Sequence, residues 1–281
     1  MMLSRISPRV KASLRRRFPS FYRSVQLWVA ARAITETGSP WARNVLNDES
    51  LSTIIRTCLS QGSVGVDVGA AAGRFTDEMR RSAPGGIIFG IEPIPAAAAN
   101  LKRLFANHKN VVIMPLALGS ENTSAQFWVC EADTGYSGLR PTEAAQQRGP
   151  LAPVTVDVVP LDATDIANTS VRLIKIDVEG GEYDVISGGR KTILRHHPII
   201  AFECTRHTLD YEKTPEDLFD LLDDLGYQIQ SPECFLHLVP SCRACIFRSP
   251  SYKDPSSSSS PPHQETVKSR KKAAQISSVS N

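Results

Sequence analysis

Three acidic side chains fall close together at the end of an otherwise apolar stretch. Asp177, Glu179 and Glu182 follow Leu173–Ile176 in the segment LIKIDVEGGEYDVISGG. The apolar stretch is typical of a buried strand, and ligands bind at the carboxyl ends of strands in open α/β sheets. A carboxylate there can take a proton from a reacting hydroxyl group or hold the hydroxyl groups of a substrate. The segment therefore predicts a reactive or binding site.

A second group of residues lies well upstream and has the character of a cofactor turn. The segment VGVDVGAAAGRF places Asp67, Gly69 and Gly73 at the end of a predicted strand, in the pattern D-x-G-x-x-x-G. Glycines let the backbone come close to a bound cofactor, and the following helix starts at the ligand. Glu92 ends the next strand, where a carboxylate can accept hydrogen bonds from both hydroxyls of a ribose.

The chemistry of this turn distinguishes two classes of cofactor. An NAD enzyme usually carries G-x-G-x-x-G, which the turn lacks. A pyrophosphate favours a helix N-terminus, and Asp67 just before the turn would repel it. S-adenosylmethionine carries an amino group and no phosphate, so it fits this turn better. An enzyme for NAD or a nucleotide sugar is the weaker alternative.

Predicted strands and helices alternate along the part of the chain that holds both groups. Strands are predicted at 64–68, 87–92, 111–118, 173–177 and 199–203, and helices at 75–82, 96–107, 183–195 and 215–226. This alternation indicates an α/β fold with a mostly parallel, Rossmann-like sheet of seven strands and helices on both faces. Residues 235–239 and 245–248 predict a closing antiparallel hairpin. Residues 125–160 break the alternation and predict an inserted β-pair joined by a loop.

Several segments together resemble the FkbM family of S-adenosylmethionine-dependent methyltransferases. They are VDVGAAAGRFT, FGIEPIP, MPLALG, IKIDVEGGEYDVISGG and PIIAFEC, and the resemblance extends over residues 60–230. The usual family form of the long motif is IKIDVEGAEYEVLKG, from which this chain departs only slightly. The segment Tyr136–Leu139 is similar to an S-S-L element of the family, with Gly138 in place of the second serine.

The resemblance implies a class I methyltransferase fold and O-methylation, often of a sugar or a polyketide hydroxyl. It implies that the methionine part of the cofactor lies on the glycine turn, the ribose on the next strand end and adenine on the turn after that. The corresponding residues are Asp67, Gly69 and Gly73, then Glu92, then Ala117 and Leu118.

Asp177 matches the acid that lies beside the reactive methyl group in the family. An alcohol must lose its proton as its oxygen attacks, and Asp177 is the predicted general base. Glu179 and Glu182 are predicted to place the hydroxyl groups of the substrate. Alternatively, one of these two glutamates caps the following helix, since acids favour helix N-termini.

Two other sets of side chains have the composition of metal sites. The acids after Ile176, extended by Glu203 and His207, offer ligands that Mg²⁺ or Ca²⁺ prefers. They suit hydrogen bonding to a polyol equally well, so no metal is predicted. The motif C-x2-H-x4-C-x2-C at 234–245 has four possible zinc ligands, but its local pattern favours two strands and a turn.

The distribution of charge divides the chain into three predicted parts. Residues 1–40 form a basic extension, with eight Lys or Arg and no acid in the first 35 residues. Residues 41–248 form the methyltransferase domain, and 249–281 form a Ser/Pro/Lys-rich tail with the composition of disorder. The domain is acidic overall, which argues against a nucleic-acid groove. The basic extension is interpreted as a helix packed on the domain or as a weak membrane-surface contact.

Composition also restricts the class and the location of the protein. No stretch approaches the roughly 18–20 apolar residues of a membrane helix, and no convincing signal peptide is visible. Six cysteines in a chain of this length suit free thiols in a reducing compartment, so a cytoplasmic location is predicted. The predicted partner is a small-molecule or carbohydrate acceptor. Methylation of RNA or protein, and a cofactor-binding domain without catalysis, are the alternatives.

Overall fold

The centre of the molecule is a parallel sheet of short, mostly apolar strands. The computed structural model describes residues 40–204, 206–230 and 244–248. The strands of this sheet and of a second, three-stranded sheet are β1 Val64–Val68, β2 Ile88–Ile91, β3 Val111–Met114, β4 Ala117–Leu118, β5 Thr123–Cys130, β6 Leu151–Val159, β7 Val171–Ile176, β8 Ile199–Cys204, β9 Ile229–Gln230 and β10 Ala244–Arg248. Strands buried on both faces are expected to be apolar throughout, as most of these are.

Seven α-helices connect or flank the strands in the described part of the chain. They are α1 Pro40–Cys58, α2 Arg74–Ser82, α3 Pro95–Leu104, α4 Glu143–Arg148, α5 Glu182–Gly188, α6 Arg190–His196 and α7 Pro215–Asp224. Short 3₁₀ turns lie at Thr134–Tyr136, Leu161–Ala163, Asp165–Asn168 and Arg206–Tyr211. None of the helices within the described ranges is long and apolar enough to cross a membrane.

The order of the main sheet is β3-β2-β1-β7-β8-β10-β9. Strands β3 to β8 in this order are the Rossmann-like part, and β10 and β9 extend it at one edge. Strand β1 pairs in parallel with β2 on one side and with β7 on the other. The order of the strands therefore changes direction at β1, and the carboxyl ends of β1, β2 and β7 meet around this switch point.

The antiparallel direction predicted for the closing strand at 245–248 is wrong. Strand β10 runs parallel to both of its neighbours, β8 and β9, and the other predicted strand of the hairpin, 235–239, lies outside the described residues. The physical reason is that alternating side chains identify a strand but carry no information on its direction. The Rossmann-like class itself is confirmed.

The two faces of the sheet are covered by different helices. Val68, Ile176 and Phe202 lie in a cluster with side chains of α5, α6 and α7. Leu173 and Ala201 lie in a cluster on the opposite face, with side chains of α1 and α2. Because side chains alternate along a strand, neighbouring residues of β7 face different helices.

The inserted β-pair predicted around 125–160 is confirmed. Strand β5 pairs with β6 in antiparallel register from Thr123 opposite Val158 to Cys130 opposite Leu151. The predicted strand 111–118 divides into β3 and β4, with Pro115 between them. Proline has no backbone N–H to give to a sheet, and β4 leaves the main sheet to pair with β6. The small sheet, which consists of β4, β6 and β5, therefore begins only two residues after β3 of the main sheet.

The predicted helix 183–195 divides into α5 and α6 at Gly188–Gly189. A side-chain Cβ at Gly188 would lie 1.9 Å from the carbonyl oxygen of Gly119, just after β4. The helix thus packs against backbone at a distance that only glycine allows. This contact joins the main sheet to the start of the small one.

We expect Gly188→Ala to lower the free energy of unfolding by about 1–3 kcal/mol. The added methyl group would overlap backbone atoms, and a side-chain rotation cannot relieve that overlap. Alanine otherwise stabilises a helix by about 1 kcal/mol relative to glycine, so the sign of the change is informative. Urea unfolding measures it, with Ser187→Ala on the same helix as the control. A stabilised Gly188→Ala variant would contradict the close contact.

Candidate functional site

A largely apolar pocket lies at the carboxyl ends of β1, β2 and β7. It is partly open to solvent and contains about 690 Å³ of empty space, part of which is open solvent. Ile94, Ala117, Leu118 and Phe127 supply much of its apolar wall. Ala117 and Leu118 therefore lie where the sequence predicts the adenine contact, although that contact itself stays a prediction.

Glu92 lines this pocket and is held in place by backbone groups. The carboxylate is buried, with 4% of the residue exposed. Its Oε2 accepts a hydrogen bond from the N–H of Ala71 at 2.8 Å, and its Oε1 accepts one from the N–H of Ile94 at 2.9 Å. Burial raises the pKa of Glu92, while the two N–H groups oppose the rise. A carboxylate has about four acceptor positions, so these bonds orient the group and leave capacity for a ligand.

Gly69 brings the two sequence motifs into contact. Its φ is +75°, and a Cβ there would lie 1.9 Å from the carbonyl oxygen of Asp177. The turn after β1 therefore crosses the end of β7 backbone to backbone, and Gly69 lines the pocket. Gly73, with φ +80°, instead allows close packing on Leu101 of α3. Gly73 is not part of the pocket wall, so its predicted role toward the cofactor stays a prediction.

Asp67 forms a buried ion pair on the opposite face of the sheet. Its Oδ1 lies 3.1 Å from Lys175 Nζ, and its Oδ2 accepts a hydrogen bond from Thr76 Oγ1 at 2.6 Å. The structure gives the carboxylate these partners and no place in the pocket wall. A role of Asp67 in holding the amino group of a cofactor stays a prediction, and its observed contacts stabilise the turn.

Lys175 is a site residue that the sequence interpretation missed. Its side chain is 3% exposed and its Nζ donates to the carbonyl oxygens of Val68 at 3.2 Å and Gly69 at 2.7 Å. Burial lowers the pKa of Lys175, but the charges of Asp67 and Asp177 raise it, and the net shift is upward. The signal was available, because a lysine in the middle of a strand buried on both faces requires a charged partner.

Asp177 stands between two adjoining pockets. It lines the apolar pocket and also a polar one of about 770 Å³, which lies beside α1 and the ends of β7 and β8. Its side chain is 39% exposed, and Oδ2 lies 3.7 Å from Lys175 Nζ. Asn47, Asp48, Phe75 and Glu203 contribute to the polar pocket. The position next to both pockets agrees with the predicted catalytic role, which stays a prediction.

Glu179 also borders both pockets and is held by a histidine. Its Oε2 lies 2.9 Å from His207 Nδ1, and its backbone has a φ of +56°. Burial raises the pKa of Glu179, and the hydrogen bond to Glu179 raises the pKa of His207. A Cβ at the neighbouring Gly180 would lie 2.5 Å from the carbonyl oxygen of His207. The loop after β7 is therefore packed tightly on the Arg206–Tyr211 turn.

Glu182 lies behind the pocket wall and acts on the backbone. It is 1% exposed, and its Oε1 accepts hydrogen bonds from the N–H groups of Val178 at 3.3 Å and Gly180 at 3.2 Å. Burial raises its pKa to about 7. Of the two roles that the sequence leaves open, these contacts favour support of the loop at the start of α5. Binding of substrate by Glu182 stays a prediction.

The insertion contributes a wall of the apolar pocket that the sequence interpretation did not assign to the site. Ser137 and Leu139 line the pocket together with Tyr211. The hydroxyl of Ser137 accepts a hydrogen bond from the N–H of Cys130 at 3.0 Å. A Cβ at Gly138 would lie 3.0 Å from the Tyr211 hydroxyl. The missing side chain at Gly138 therefore leaves space around that hydroxyl.

The two possible metal sites have different outcomes. Among the described residues, no group of three or more His, Cys, Asp or Glu side chains is arranged to hold a metal ion. The cysteine and histidine motif at 234–245 lies outside the described residues except for Cys245, whose backbone is in β10.

The parallel sheet, its strand-end carboxylates and the pocket at its switch point define a Rossmann-like, class I methyltransferase architecture. The model of the methyltransferase FkbM domain matches residues 67–229. The chain therefore belongs to the FkbM methyltransferase family.

Similar proteins include a curated relative and two solved structures. "Methyltransferase 1" of Beauveria bassiana is 31% identical over an alignment of 141 residues, which covers 44% of this chain and 57% of the relative. This chain thus spans little more than half the length of that relative. A precorrin-6y C5,15-methyltransferase from Geobacter metallireducens has a TM-score of 0.36 and 16% identity over 65% of this chain and 71% of its own. A putative rRNA methylase from Clostridium thermocellum has a TM-score of 0.23 and 19% identity over 25% and 39%.

We expect Lys175→Met to destabilise the protein by about 3–5 kcal/mol, because it leaves the buried Asp67 carboxylate without its cation. Asp67→Asn alone leaves the buried ammonium short of a partner. The double variant should lose clearly less than the sum of the two single losses. Urea unfolding of all four proteins measures this coupling. Additive losses would show that the pair contributes no interaction energy.

Proposed function

We propose that the protein transfers a methyl group from S-adenosylmethionine to a hydroxyl group of a neutral, hydroxyl-rich acceptor, such as a sugar or another small natural product. The observation that carries this proposal is the position of Asp177 between two adjoining pockets of different character. The apolar pocket suits the cofactor, and the polar pocket suits the acceptor.

The apolar pocket has the chemistry that an adenosine requires. Its aliphatic and aromatic walls at Ile94, Leu118 and Phe127 suit a flat base, and the oriented carboxylate of Glu92 suits a ribose diol. Carboxylates at Glu92 and Asp177 would repel a pyrophosphate, which disfavours a dinucleotide. When bound, S-adenosylmethionine supplies an electrophilic methyl group. Glu92, Gly69, Ala117 and Leu118 are the residues that would hold it.

Most acidic groups of the polar pocket have a partner that can offset their charge. Arg74 pairs with Asp48, His207 contacts Glu179, and Lys175 is shared between Asp67 and Asp177. Burial, followed by the charges of its acidic neighbours, raises the pKa of Glu203 to about 9, so this carboxyl is neutral near pH 7. A pocket lined with compensated oxygens favours hydrogen bonds to a neutral polyol over capture of a cation.

The role proposed for Asp177 follows from its charge and its position. Lys175 Nζ lies 3.7 Å from its Oδ2, and a carboxylate that borders both pockets can accept the proton of an acceptor hydroxyl as the oxygen attacks. Correct alignment of the acceptor contributes most of the rate when the methyl donor is already reactive. The loop held by Glu182 and the Glu179–His207 pair fixes the geometry beside Asp177.

Binding of the cofactor can be tested by calorimetry with S-adenosylmethionine and with NAD. We expect binding of the first only, and about tenfold weaker binding by Glu92→Gln, because one charged acceptor is lost. Glu121→Gln, at an exposed position, is the matched control and should bind normally. Binding of NAD without binding of S-adenosylmethionine would overturn the proposal.

Methyl transfer can be tested with methyl-labelled S-adenosylmethionine and a panel of methyl glycosides. We expect label in a glycoside, and a loss of about 10²–10⁴-fold in kcat for Asp177→Asn with nearly unchanged cofactor binding. Asp157→Asn, on an exposed position of β6, controls for the loss of a carboxylate elsewhere. Label in RNA or protein instead would overturn the proposed acceptor class. Full activity of Asp177→Asn would overturn its role as base.

A further inference from the structure

Asp177 directly follows β7, and Glu203 lies near the end of the neighbouring strand β8. Strands β7 and β8 are parallel and pair in register up to Ile176 opposite Phe202, so the next residues along are Asp177 and Glu203. Neighbouring strands of a sheet are about 4.8 Å apart, and side chains at matching positions point to the same face. Both carboxyl groups line the polar pocket.

A side-chain hydrogen bond with Asp177 is among the causes that raise the pKa of Glu203, after burial and the charges of the nearby acids. An ionised carboxylate only accepts hydrogen bonds, so such a bond requires a proton on one partner. Lys175 Nζ lies 3.7 Å from Asp177 Oδ2, and the Asp177 side chain is 39% exposed. Asp177 therefore has both a cation and solvent beside it. Burial and the nearby negative charges favour the neutral form of Glu203.

Other ionisable groups around Glu203 act in the same direction. Acidic or potentially acidic groups face it from several elements, and one buried cation lies among them. These groups are Asp48 on α1, Asp177 and Glu179 after β7, Glu182 on α5, Tyr136 in the insertion and Lys175 on β7. Lys175 is already shared between Asp67 and Asp177. A second negative charge at Glu203 would therefore meet mainly repulsion.

We propose that Glu203 is held as a neutral acid and donates its proton in a hydrogen bond to Asp177, which leaves Asp177 as the single ionised carboxylate of the pair. This inference rests on the proposed function, because it assumes that Asp177 acts as the general base. Glu203 is then a positioning residue, because it acts on the acceptor through Asp177.

Glu203 neither gains nor loses a proton during the proposed reaction. As the acceptor oxygen bonds to the methyl carbon, the bond from that carbon to sulfur breaks and its electron pair stays on sulfur. The hydroxyl proton of the acceptor passes to Asp177 and then to solvent. Glu203 keeps its own proton throughout, so ionisation of Glu203 at alkaline pH should misplace Asp177 and slow the transfer.

The protonated state of Glu203 can be tested on the full-length protein without any acceptor. A carboxyl with a raised folded-state pKa holds a proton that the unfolded chain has released, so stability falls as pH rises from the ordinary value to the raised one. For Glu203 that window extends from 4.5 to about 9, and for Glu182 from 4.5 to about 7. Between pH 7 and 9, Glu203 alone of these two contributes.

We expect the free energy of unfolding of the wild-type protein, measured in urea, to fall between pH 7 and 9. In Glu203→Gln the slope of this fall should be smaller by the contribution of about one bound proton. Glu182→Gln, the matched buried control, should keep the wild-type slope in this range. In parallel, infrared difference spectra should show a carboxylic-acid band that titrates near pH 9 and is missing in Glu203→Gln. A Glu203→Gln variant with the wild-type slope and band would overturn the inference.

The positioning role can be tested by the pH dependence of methyl transfer to the methyl glycosides. We expect the wild-type rate to fall above about pH 9. Glu203→Gln still donates a hydrogen bond, so it should stay within about threefold of wild type at pH 7 and lose the alkaline decline. Glu203→Ala should lower kcat more than it changes KM. An alkaline decline retained in Glu203→Gln would overturn this role.

The two sets of measurements separate this inference from the proposed function. If Glu203→Gln removes the titrating proton but no glycoside is methylated, the protonated pair stands and the proposed acceptor class fails. If glycosides are methylated and the proton is absent, the proposed function stands and the inference fails.

Discussion

One buried ammonium group connects the parts of the molecule that carry the site. Lys175 Nζ lies near the carboxylates of Asp67 and Asp177 and donates to the carbonyl oxygens of Val68, at the end of β1, and Gly69, just after it. Removing such a charge from water costs several kcal/mol, and only close, well-bonded partners offset it. The lysine therefore specifies how the turn after β1 sits against the end of β7. Gly69 completes the arrangement, because any side chain there would collide with the Asp177 carbonyl.

The alternation of side chains along β7 gives the site its two sides. Ile176 packs into the core on one face of the sheet, while Lys175 faces α1 and α2 on the other. Asp177, at the end of the strand, borders a pocket on each side. A reaction between two bound molecules requires both to reach one group, and the end of a parallel strand at a switch point provides such a place.

Much of the inner fold and the outline of the site could be predicted from the sequence, because both depend on local patterns. Strand β1 has the predicted bounds, and the predicted acids Glu92, Asp177 and Glu179 line one pocket. Features that depend on contacts between residues far apart in the sequence were harder to predict. The direction of β10 depends on which strands it meets, and the need for glycine at 188 depends on the carbonyl of Gly119. The wall at Ser137 and Leu139 depends on how the insertion folds back. Lys175 could have been recognised from its apolar surroundings.

Strand β4 links the apolar pocket to the small sheet, which carries no proposed catalytic residue. Ala117 and Leu118 form the floor of the apolar pocket and also pair with β6 of the small sheet. A ligand that binds Ala117 and Leu118 in the folded protein also stabilises the strands that must fold with them. The amount is set by the ligand concentration relative to the dissociation constant. Hydrogen exchange in β5 and β6 is therefore thermodynamically linked to occupancy of a pocket built mainly on the other sheet. The local stability of β5 and β6 therefore depends on whether the apolar pocket is occupied.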